Sequence, residues 1–305
     1  MQLLLAVTIC FAAINVVTYV LYAHDKRRAE EGGWRVPERR LILLAALGGA
    51  TGAFAAMRVC HHKTRKLKFA VVVPALMVAQ VLALALFLAL SLFAQGRYEA
   101  DARAVAALES SATVTVDRKS WGYLFDGPGT DELLVFYPGG NVASEAYAPL
   151  MQAISQEGVD CAVVNMPFCL AFLGANRAEQ VMAELPYESY IVGGHSLGGV
   201  AAGMFASQHP DELAGLVLLA SFVTDDLSAT GLEVLSAYGT CDGVLDLERY
   251  EECRANLPET TEELVIEGAN HGQFGSYGGQ AGDGTATITA EEQWAETADA
   301  IAALW

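Results

Sequence analysis

Two long runs of apolar residues constrain this chain more than any other feature of its sequence. Residues 3–22 and residues 69–93 contain no charged side chain, and Pro74 and Gln80 are the main interruptions of the second run. Each run is long enough to cross roughly 30 Å of hydrocarbon as a helix. Cleavage of the first run as a signal peptide is the alternative, but no basic residues precede it and a second run follows. The sequence therefore predicts a multi-pass protein of the cell membrane whose N-terminal part contacts the lipid bilayer.

A third apolar segment, residues 41–57, is shorter and carries Gly48, Gly49 and Gly52 at its centre, where glycine weakens a helix. Basic residues flank it on both sides, which are Lys26, Arg27, Arg28, Arg35, Arg39 and Arg40 before it and Arg58, Lys63, Arg65, Lys66 and Lys68 after it. Basic loops tend to stay in the cytoplasm. Both loops satisfy this rule if the segment is re-entrant and bends back at its glycines. A short span, or a helix face of small packed residues, is the alternative.

The side of the membrane on which the rest of the chain lies depends on that segment. If it is re-entrant, the helix of residues 69–93 runs outward and the C-terminal part is extracytoplasmic, which we favour; if it spans, that part is cytoplasmic. The C-terminal part contains an even number of cysteines, Cys161, Cys169, Cys241 and Cys253. These are compatible with disulfides in an oxidising compartment and equally with buried free thiols.

The distribution of charge divides the chain into two domains. The first 94 residues contain 11 of the 18 Lys and Arg residues but only four of the 36 Asp and Glu residues, so that they carry +7 and the remainder −25. We therefore predict a transmembrane domain at 1–94, a juxtamembrane helix or linker at 95–112 and a globular domain at 113–305. The acidic charge of the globular domain argues against nucleic acid as a partner, because no basic patch is present to neutralise phosphates.

The basic stretch DKRRAEEGGWRVPERRLILLAALGG, followed by HHKTRK, resembles a small family of bacterial multi-pass membrane proteins of unknown function. The resemblance covers roughly residues 1–90 and implies no activity. His61, His62 and the surrounding basic cluster are compatible with a metal site or an anionic-lipid site. Anchoring of the loops by their positive charge is the simpler interpretation.

From about Thr113 the pattern changes to short β-rich runs that alternate with helical stretches, such as residues 144–157. Nearly continuous apolar strands between helices indicate an α/β fold with a mostly parallel sheet covered on both faces. The predicted strands lie at 113–116, 121–125, 133–140, 161–165, 190–194, 215–220, 232–239 and 263–268.

A GxSxG motif, Gly194 to Gly198, follows one of these strands and precedes an apparent helix. A sharp strand-to-helix turn of this kind exposes the central serine above a parallel sheet, which makes Ser196 the candidate nucleophile. Glycine is required beside it because the backbone segments of the turn lie close together. A glycine-rich connection with an incidental serine is the alternative interpretation.

A serine nucleophile needs a base, and His271 directly follows the predicted strand 263–268. The acid is expected after the preceding predicted strand, where Asp242 is the first candidate, because a carboxylate there can accept the Nδ1 proton of His271 and stabilise its imidazolium. His209 is more simply explained by capping of a helix end. The other candidate acids are Asp246, Asp225 and Asp226.

The oxyanion hole requires two N–H donors. The backbone N–H of Leu197 is one, and the other is expected from the loop YPGGNV, with Gly140 first and Asn141 next. A plain tight turn is the alternative for this loop.

Taken together, FYPGGNVASEAYAPL, NMPF, GGHSLGG, YGTCDGV and EGANHGQFGSYG resemble the α/β-hydrolase superfamily, and most closely its compact dienelactone-hydrolase-like bacterial branch. The resemblance spans about residues 113–305. It implies hydrolysis of esters or related acyl compounds through an acyl-serine, with neither a metal nor an organic cofactor, and it does not specify the substrate.

We therefore expect a membrane-anchored serine hydrolase that acts on small or lipid-like acyl esters. A non-catalytic binding module with the same fold is the alternative, and a peptidase or thioesterase would use the same residues. Only about ten residues separate the strands 215–220 and 232–239, so a helical cap is not expected and the site is predicted to be open. Thr289 and Glu292 have the spacing of a capping box at the start of the last helix.

Overall fold

The computed structural model describes residues 2–129 and 131–305. The described residues form two compact units, Met1–Phe93 and Ala94–Trp305. Each unit is described by itself below.

The N-terminal unit is helical throughout its apolar segments, which contain few residues that break helices. By length and composition alone, three helical segments of the described chain could cross a membrane, Leu4–Glu30, Glu38–Val59 and Leu67–Gln95. Its elements are α1 (Gln2–Glu30), α2 (Glu38–Leu44), a π-helical turn (Ala45–Gly49), α3 (Ala50–Val59) and α4 (Leu67–Gln95).

The second of these segments is a bent hairpin and not a straight rod. Gly48 has a φ of +115°, a backbone conformation that glycine adopts without strain. The two ends of the hairpin meet, because Nζ of Lys63 lies 3.4 Å from Oε1 of Glu38. Both ends of this segment therefore lie at the same end of the N-terminal unit. This geometry is that of the re-entrant alternative, and the entry of the hairpin into lipid stays a prediction.

Two polar side chains of the long helices satisfy the backbone groups around this bend. The Asn15 amide donates to the carbonyl of Gly48 (3.0 Å) and accepts from the N–H of Gly52 (2.7 Å). The Gln80 amide donates to the carbonyl of Ala45 (2.8 Å). Backbone groups that leave the regular helix pattern in an apolar environment need such partners. The sequence interruptions at positions 15 and 80 therefore serve the hairpin.

The C-terminal unit has the predicted α/β fold. In the described residues, eight strands form one sheet in the order β1-β2-β4-β3-β5-β6-β7-β8. Neighbours from β4 through β8 are parallel, while β2 is antiparallel to both β1 and β4. The strands are β1 (Thr115–Arg118), β2 (Gly122–Asp126), β3 (Glu132–Tyr137), β4 (Asp160–Val164), β5 (Ser189–His195), β6 (Gly215–Leu219), β7 (Glu233–Gly239) and β8 (Glu262–Ile266).

Helices cover both faces of this sheet, as expected for buried parallel strands. One apolar core joins a sheet face to α6 and α10, and the other joins the opposite face to α7 and α8. The capping box predicted for the last helix is present between Thr289 and Glu292. The helices of this unit are α5 (Ala102–Ala106), α6 (Ala148–Gln156), α7 (Arg177–Glu184), α8 (Leu197–Gln208), α9 (Leu247–Cys253) and α10 (Ala290–Ala302).

Residues 95–112, predicted as a juxtamembrane helix or linker, are bonded into the C-terminal unit. Tyr98 forms a β-bridge with Val142. The Asp101 carboxylate caps α5 and accepts a hydrogen bond from the Ser276 hydroxyl (2.8 Å). The segment therefore belongs to the C-terminal unit and is not a free spacer.

Two further expectations concern the surroundings of the sheet. The described connection between β6 and β7, residues 220–232, contains no helix, in agreement with the expected absence of a cap there. Within the described residues, the cysteines form no disulfide, and Cys161, Cys169, Cys241 and Cys253 are free thiols. The even number of cysteines therefore says nothing about an oxidising compartment.

Candidate active site

Ser196 occupies the sharp turn between β5 and α8. Its backbone has φ +52° and ψ −125°, a combination that few non-glycine residues adopt. A Cβ on Gly194 would lie 2.5 Å from the carbonyl carbon of Gly198, and a Cβ on Gly198 would lie 2.1 Å from the carbonyl oxygen of Tyr137. The flanking glycines are therefore required by close backbone contacts. The strained turn holds the half-exposed serine at the carboxyl edge of the parallel strands.

The predicted acid and base meet at the same edge. Asp242 follows β7 and His271 follows β8, and Nδ1 of His271 lies 2.9 Å from Oδ2 of Asp242. Because a carboxylate only accepts, Nδ1 carries the proton and Nε2 of a neutral ring is left as an acceptor. The other oxygen of Asp242 accepts the N–H groups of Val244 and Leu245, each at 2.8 Å. The carboxylate is thus fixed on both oxygens.

The base lies beside the turn that carries the serine. The rings of His271 and His195, the residue before Ser196, have centroids 4.5 Å apart. Nε2 of His271 is buried and has no hydrogen-bond partner among the described residues. The structure therefore brings Asp242, His271 and the serine turn together, but it does not join the Ser196 hydroxyl to Nε2 by a hydrogen bond. In sites without substrate such bonds are often long and form when substrate binds.

The predicted oxyanion donors have different outcomes. Gly140 adjoins Leu197, because a Cβ on Gly140 would lie 3.1 Å from Cδ2 of Leu197. No hydrogen bond that the described residues form among themselves uses the N–H of either residue. The prediction of Asn141 as a backbone donor is wrong, since its N–H is donated to the carbonyl of Cys169 at 2.8 Å. The loop turns at Asn141, which has a φ of +58°, and this turn directs that N–H toward Cys169.

Electrostatics keep the acid ionised and the neighbouring histidine neutral. Burial opposes ionisation of Asp242, but the hydrogen bond and charge of His271 and the two backbone N–H groups hold the pKa of its carboxyl below the usual value. Burial, and then the adjacent His271 ring, hold the pKa of His195 well below its usual value. His195 is therefore neutral.

Tyr147 is a residue of the candidate site that the sequence pattern did not indicate. It is completely buried on the segment before α6, and its hydroxyl accepts the N–H of Gly139 (2.9 Å) and bonds to Nδ1 of His195 (2.8 Å). It thus connects the glycine loop after β3 with the serine turn. A tyrosine in an ordinary helical pattern carries no mark of such a role.

Asp283 is a second residue that sequence reasoning did not single out. Its carboxylate accepts the N–H of Gly272 (2.8 Å), of His271 (3.2 Å) and of Gly243 (3.2 Å). It therefore ties the loop of the base to the loop of the acid. The only sequence signal was its place in the glycine-rich stretch 272–286.

The other residues considered from the sequence have structural positions. Asp246 is the N-cap of α9 and accepts the N–H of Arg249. Asp226 binds Ser228, and neither it nor Asp225 hydrogen-bonds to His271 in the described part of the chain. His209 is the C-cap of α8, directly after its last residue, Gln208. No group of three or more His, Cys, Asp or Glu residues suited to a metal ion occurs among the described residues.

Comparison with known proteins gives two family matches. The alpha/beta hydrolase family matches residues 133–295. A family described as a protein of unknown function (DUF1294) matches residues 15–69. The uncharacterized protein YsdA of Bacillus subtilis is 35% identical over 74 residues, which cover 24% of this chain and 83% of YsdA.

Solved structures resemble this chain at low identity. A predicted CIB-like hydrolase from Thermoplasma acidophilum is 13% identical, with a TM-score of 0.48, and the match covers 62% of this chain and 99% of that one. A monoacylglycerol lipase from Paleococcus ferrophilus is 15% identical (TM-score 0.46; 58% and 97% covered). Naproxen esterase from Bacillus subtilis is 13% identical (TM-score 0.43; 56% and 88% covered).

Proposed function

Because this chain belongs to the alpha/beta hydrolase family, we propose that its C-terminal unit is a serine hydrolase that cleaves ester bonds through an acyl-serine. Its N-terminal part matches the DUF1294 family of unknown function and, separately, the uncharacterized protein YsdA, and we assign that part the role of a membrane anchor. The observation that carries the enzymatic proposal is the bond between Asp242 and His271, with Nε2 left free beside the strained serine turn.

The proposed reaction uses three side chains in sequence. The Ser196 oxygen attacks the acyl carbonyl while its proton passes to Nε2 of His271. The tetrahedral intermediate collapses, the ester C–O bond breaks, and the alcohol leaves with the proton from His271. A water molecule then attacks the acyl carbonyl of the acyl-serine while one of its protons passes to Nε2 of His271. The bond between the acyl carbon and the Ser196 oxygen breaks, His271 returns the proton to that oxygen, and the carboxylic acid leaves. Asp242 stays ionised throughout and stabilises the imidazolium.

Two backbone N–H groups would stabilise the oxyanion. The N–H of Leu197 lies at the start of α8, where the helix dipole favours negative charge, and the second N–H would come from Gly140, which adjoins the Leu197 side chain. Loss of one such donor in a serine hydrolase costs about 10²- to 10³-fold in kcat. Fixed backbone donors need no reorganisation when charge develops, so this contribution is available from the loops as they stand.

An apolar loop beside the oxyanion loop supports a lipid-like acyl group. Residues 166–174 follow β4, and the loop is tied to the oxyanion loop by the bond between Asn141 and Cys169. Within it, Phe172 and Leu173 are 44% and 51% exposed. Exposed apolar side chains next to an uncapped site favour an aliphatic or aromatic acyl chain over a charged one. We expect p-nitrophenyl esters of medium-length fatty acids to be better substrates than the acetate.

The orientation of the proposed membrane anchor determines on which side of the membrane the substrate would be cleaved. The basic loops before α2 and after α3 lie at the same end of the N-terminal unit, since Glu38 contacts Lys63. If these loops are cytoplasmic, α4 leads out of the cytoplasm and the C-terminal unit acts outside it. In a cysteine-free background, an impermeant maleimide should label Ala229→Cys in intact spheroplasts and Thr64→Cys only after lysis. The reverse pattern would place the hydrolase in the cytoplasm.

Activity is tested with a fluorophosphonate probe on the full chain in detergent. Wild type should be labelled, and Ser196→Ala should lose labelling and about 10⁴-fold or more of its esterase activity. Ser207→Ala, which removes a hydroxyl that binds the carbonyl of Met204 within α8, is the matched control and should behave as wild type. An unlabelled wild type, or equal labelling of Ser196→Ala, would favour the non-catalytic binding module. Matched oxygen esters, thioesters and amides then separate esterase from thioesterase and peptidase.

A further inference from the structure

A concave pocket of about 540 Å³ lies at the loop end of the N-terminal unit, remote in sequence from the hydrolase residues. It is lined by Arg35 and by the consecutive residues 61–66, which include Lys63, Arg65 and Lys66. The loop that forms most of it connects α3 to α4. If these basic residues served only to keep the loop in the cytoplasm, they would not need to line the same cavity.

A buried carboxylate bonds to three of the residues that line this pocket, Arg35, His62 and Lys63. The side chain of Asp25 is completely buried, and it accepts hydrogen bonds from Nε2 of His62 (2.7 Å) and from the N–H of Val36 (2.8 Å). Nζ of Lys63 lies 3.1 Å from the same carboxylate. An isolated buried charge is costly, and paired charges with hydrogen bonds are the usual solution. Asp25 therefore holds two loop segments in place beside the pocket, residues 35–36 and residues 62–63.

The residues that line the pocket, together with their ion-pair partners, carry more positive than negative charge. Asp25 and Glu38 are the acids of this set, and Glu38 is already shared by Lys63, Lys66 and Lys68. Arg65, which lines the pocket, forms no ion pair among the described residues. A small polar cavity with unneutralised cations favours an anion and disfavours a metal ion.

The backbone of the loop is held in an unusual conformation. His61 and Lys63 have φ values of +48° and +56°, in the left-handed region that residues other than glycine, Asn and Asp seldom adopt. Such positions persist where surrounding contacts determine them, and the bonds of His62 and Lys63 to Asp25 supply those contacts. The loop ends where α4 begins, and the N-terminus of this long helix adds a favourable potential for negative charge.

We propose that this pocket binds a phosphate-bearing anion. Arg65 and Lys66 contact its phosphate oxygens, and Arg35 borders the same cavity. Guanidinium and ammonium groups are the donors that phosphate groups take in proteins. The phosphate belongs either to the headgroup of an anionic phospholipid or to a small soluble molecule, and both sources share this chemistry. The proposal is independent of the hydrolase activity.

The test uses the purified full chain in dodecylmaltoside. Native mass spectrometry measures retention of phosphatidylglycerol against phosphatidylcholine, and equilibrium dialysis measures binding of radiolabelled inorganic phosphate. The pocket variant Arg65→Gln/Lys66→Gln should weaken binding about tenfold or more, since each charge-assisted bond contributes about that factor. Both residues are exposed, and circular dichroism and elution volume check that the helices are retained.

The matched control removes the same charge from the same loop region. Arg39 and Arg40 are exposed and do not line the pocket, so Arg39→Gln/Arg40→Gln should change binding less than twofold. Selective retention of phosphatidylglycerol that inorganic phosphate does not displace would identify the lipid headgroup. Direct binding of phosphate would identify a soluble ligand. The proposal would be overturned if both double variants weakened anion binding equally. It would also be overturned if the wild type neither retained phosphatidylglycerol in preference to phosphatidylcholine nor bound inorganic phosphate.

Discussion

The hydroxyl of Tyr147 lies 2.8 Å from Nδ1 of His195, the residue that precedes the candidate nucleophile. The same hydroxyl accepts the N–H of Gly139 at 2.9 Å. Because it accepts from the glycine loop, its proton is available for His195, which in turn packs against the ring of His271. One buried tyrosine thus links the loop of the oxyanion donor, the serine turn and the base.

We expect Tyr147→Phe to lower kcat for ester hydrolysis about tenfold or more, with a smaller effect on KM. The substitution leaves the Gly139 N–H and Nδ1 of His195 buried without a partner, which costs about 1–3 kcal/mol for each unsatisfied group. Ester kinetics and urea unfolding of the unit Ala94–Trp305 measure the two effects. Tyr123→Phe, which loses only a long bond to Glu145, is the control. Unchanged kinetics of Tyr147→Phe would show that the link does not position the site.

Asp242→Asn should lower kcat about 10⁴-fold while the fold is retained, because the amide no longer fixes the tautomer of His271 or stabilises its charged form. Asp246→Asn tests the neighbouring candidate acid, which caps α9 and does not contact His271. We expect this control to keep its activity within about twofold, since asparagine also caps helices well. If the two variants lost activity equally, the assignment of the acid would be wrong.

The stability of the C-terminal unit should fall as the pH falls below the ordinary pKa of histidine, about 6.5. The lowered pKa of His195 means that the unfolded chain binds a proton there that the folded chain does not. Stability therefore rises with pH in this window, by at most about 1.4 kcal/mol per pH unit for one group. Urea unfolding at several pH values between about 5 and 7, a range that brackets the ordinary histidine pKa, measures how the free energy of unfolding changes with pH.

His195→Gln should flatten that slope, whatever its effect on stability at neutral pH. The matched control is His209→Gln, since His209 lies at the half-exposed end of α8 and bonds to Glu212. The control should keep the slope of the wild type. An unchanged slope in His195→Gln would mean that another group governs the pH dependence.

Gly198→Ala should destabilise the C-terminal unit by about 3 kcal/mol or more, or prevent its folding, because the new Cβ would lie 2.1 Å from the Tyr137 carbonyl oxygen. Gly231→Ala is the control, since a Cβ there has no heavy atom within 4 Å. Its stability should differ from wild type by less than about 1 kcal/mol. Melting temperatures compare the two, and equal values would contradict the close packing of the serine turn.

Much of the site was predictable because its parts are local in sequence. The run Gly194 to Gly198 needs glycine for close backbone contact whatever the rest of the chain does. Asp242 and His271 were predictable because each directly follows a strand, and parallel strands end at one edge of the sheet. The capping box at Thr289 was predictable for the same reason, since its partners lie three residues apart.

What the sequence could not indicate depends on contacts between distant residues. The Asn141 N–H was a plausible oxyanion donor until the carbonyl of Cys169, 28 positions away, was seen to accept it. Tyr147 and Asp283 act through residues 48 and 12 positions away. Hydrogen-bond direction and distance decide such roles, and neither is encoded in spacing along the chain.

The predictions for the N-terminal unit divide in the same way. The long apolar runs predict helices, and the Lys and Arg residues make both loops positively charged. Both properties depend only on the composition of a short stretch of sequence. That the two ends of the bent segment Glu38–Val59 lie together was decided by tertiary structure, since the approach of Lys63 to Glu38 is a contact across 25 positions. Local free energies select helices and turns, and long-range packing selects which of their ends meet.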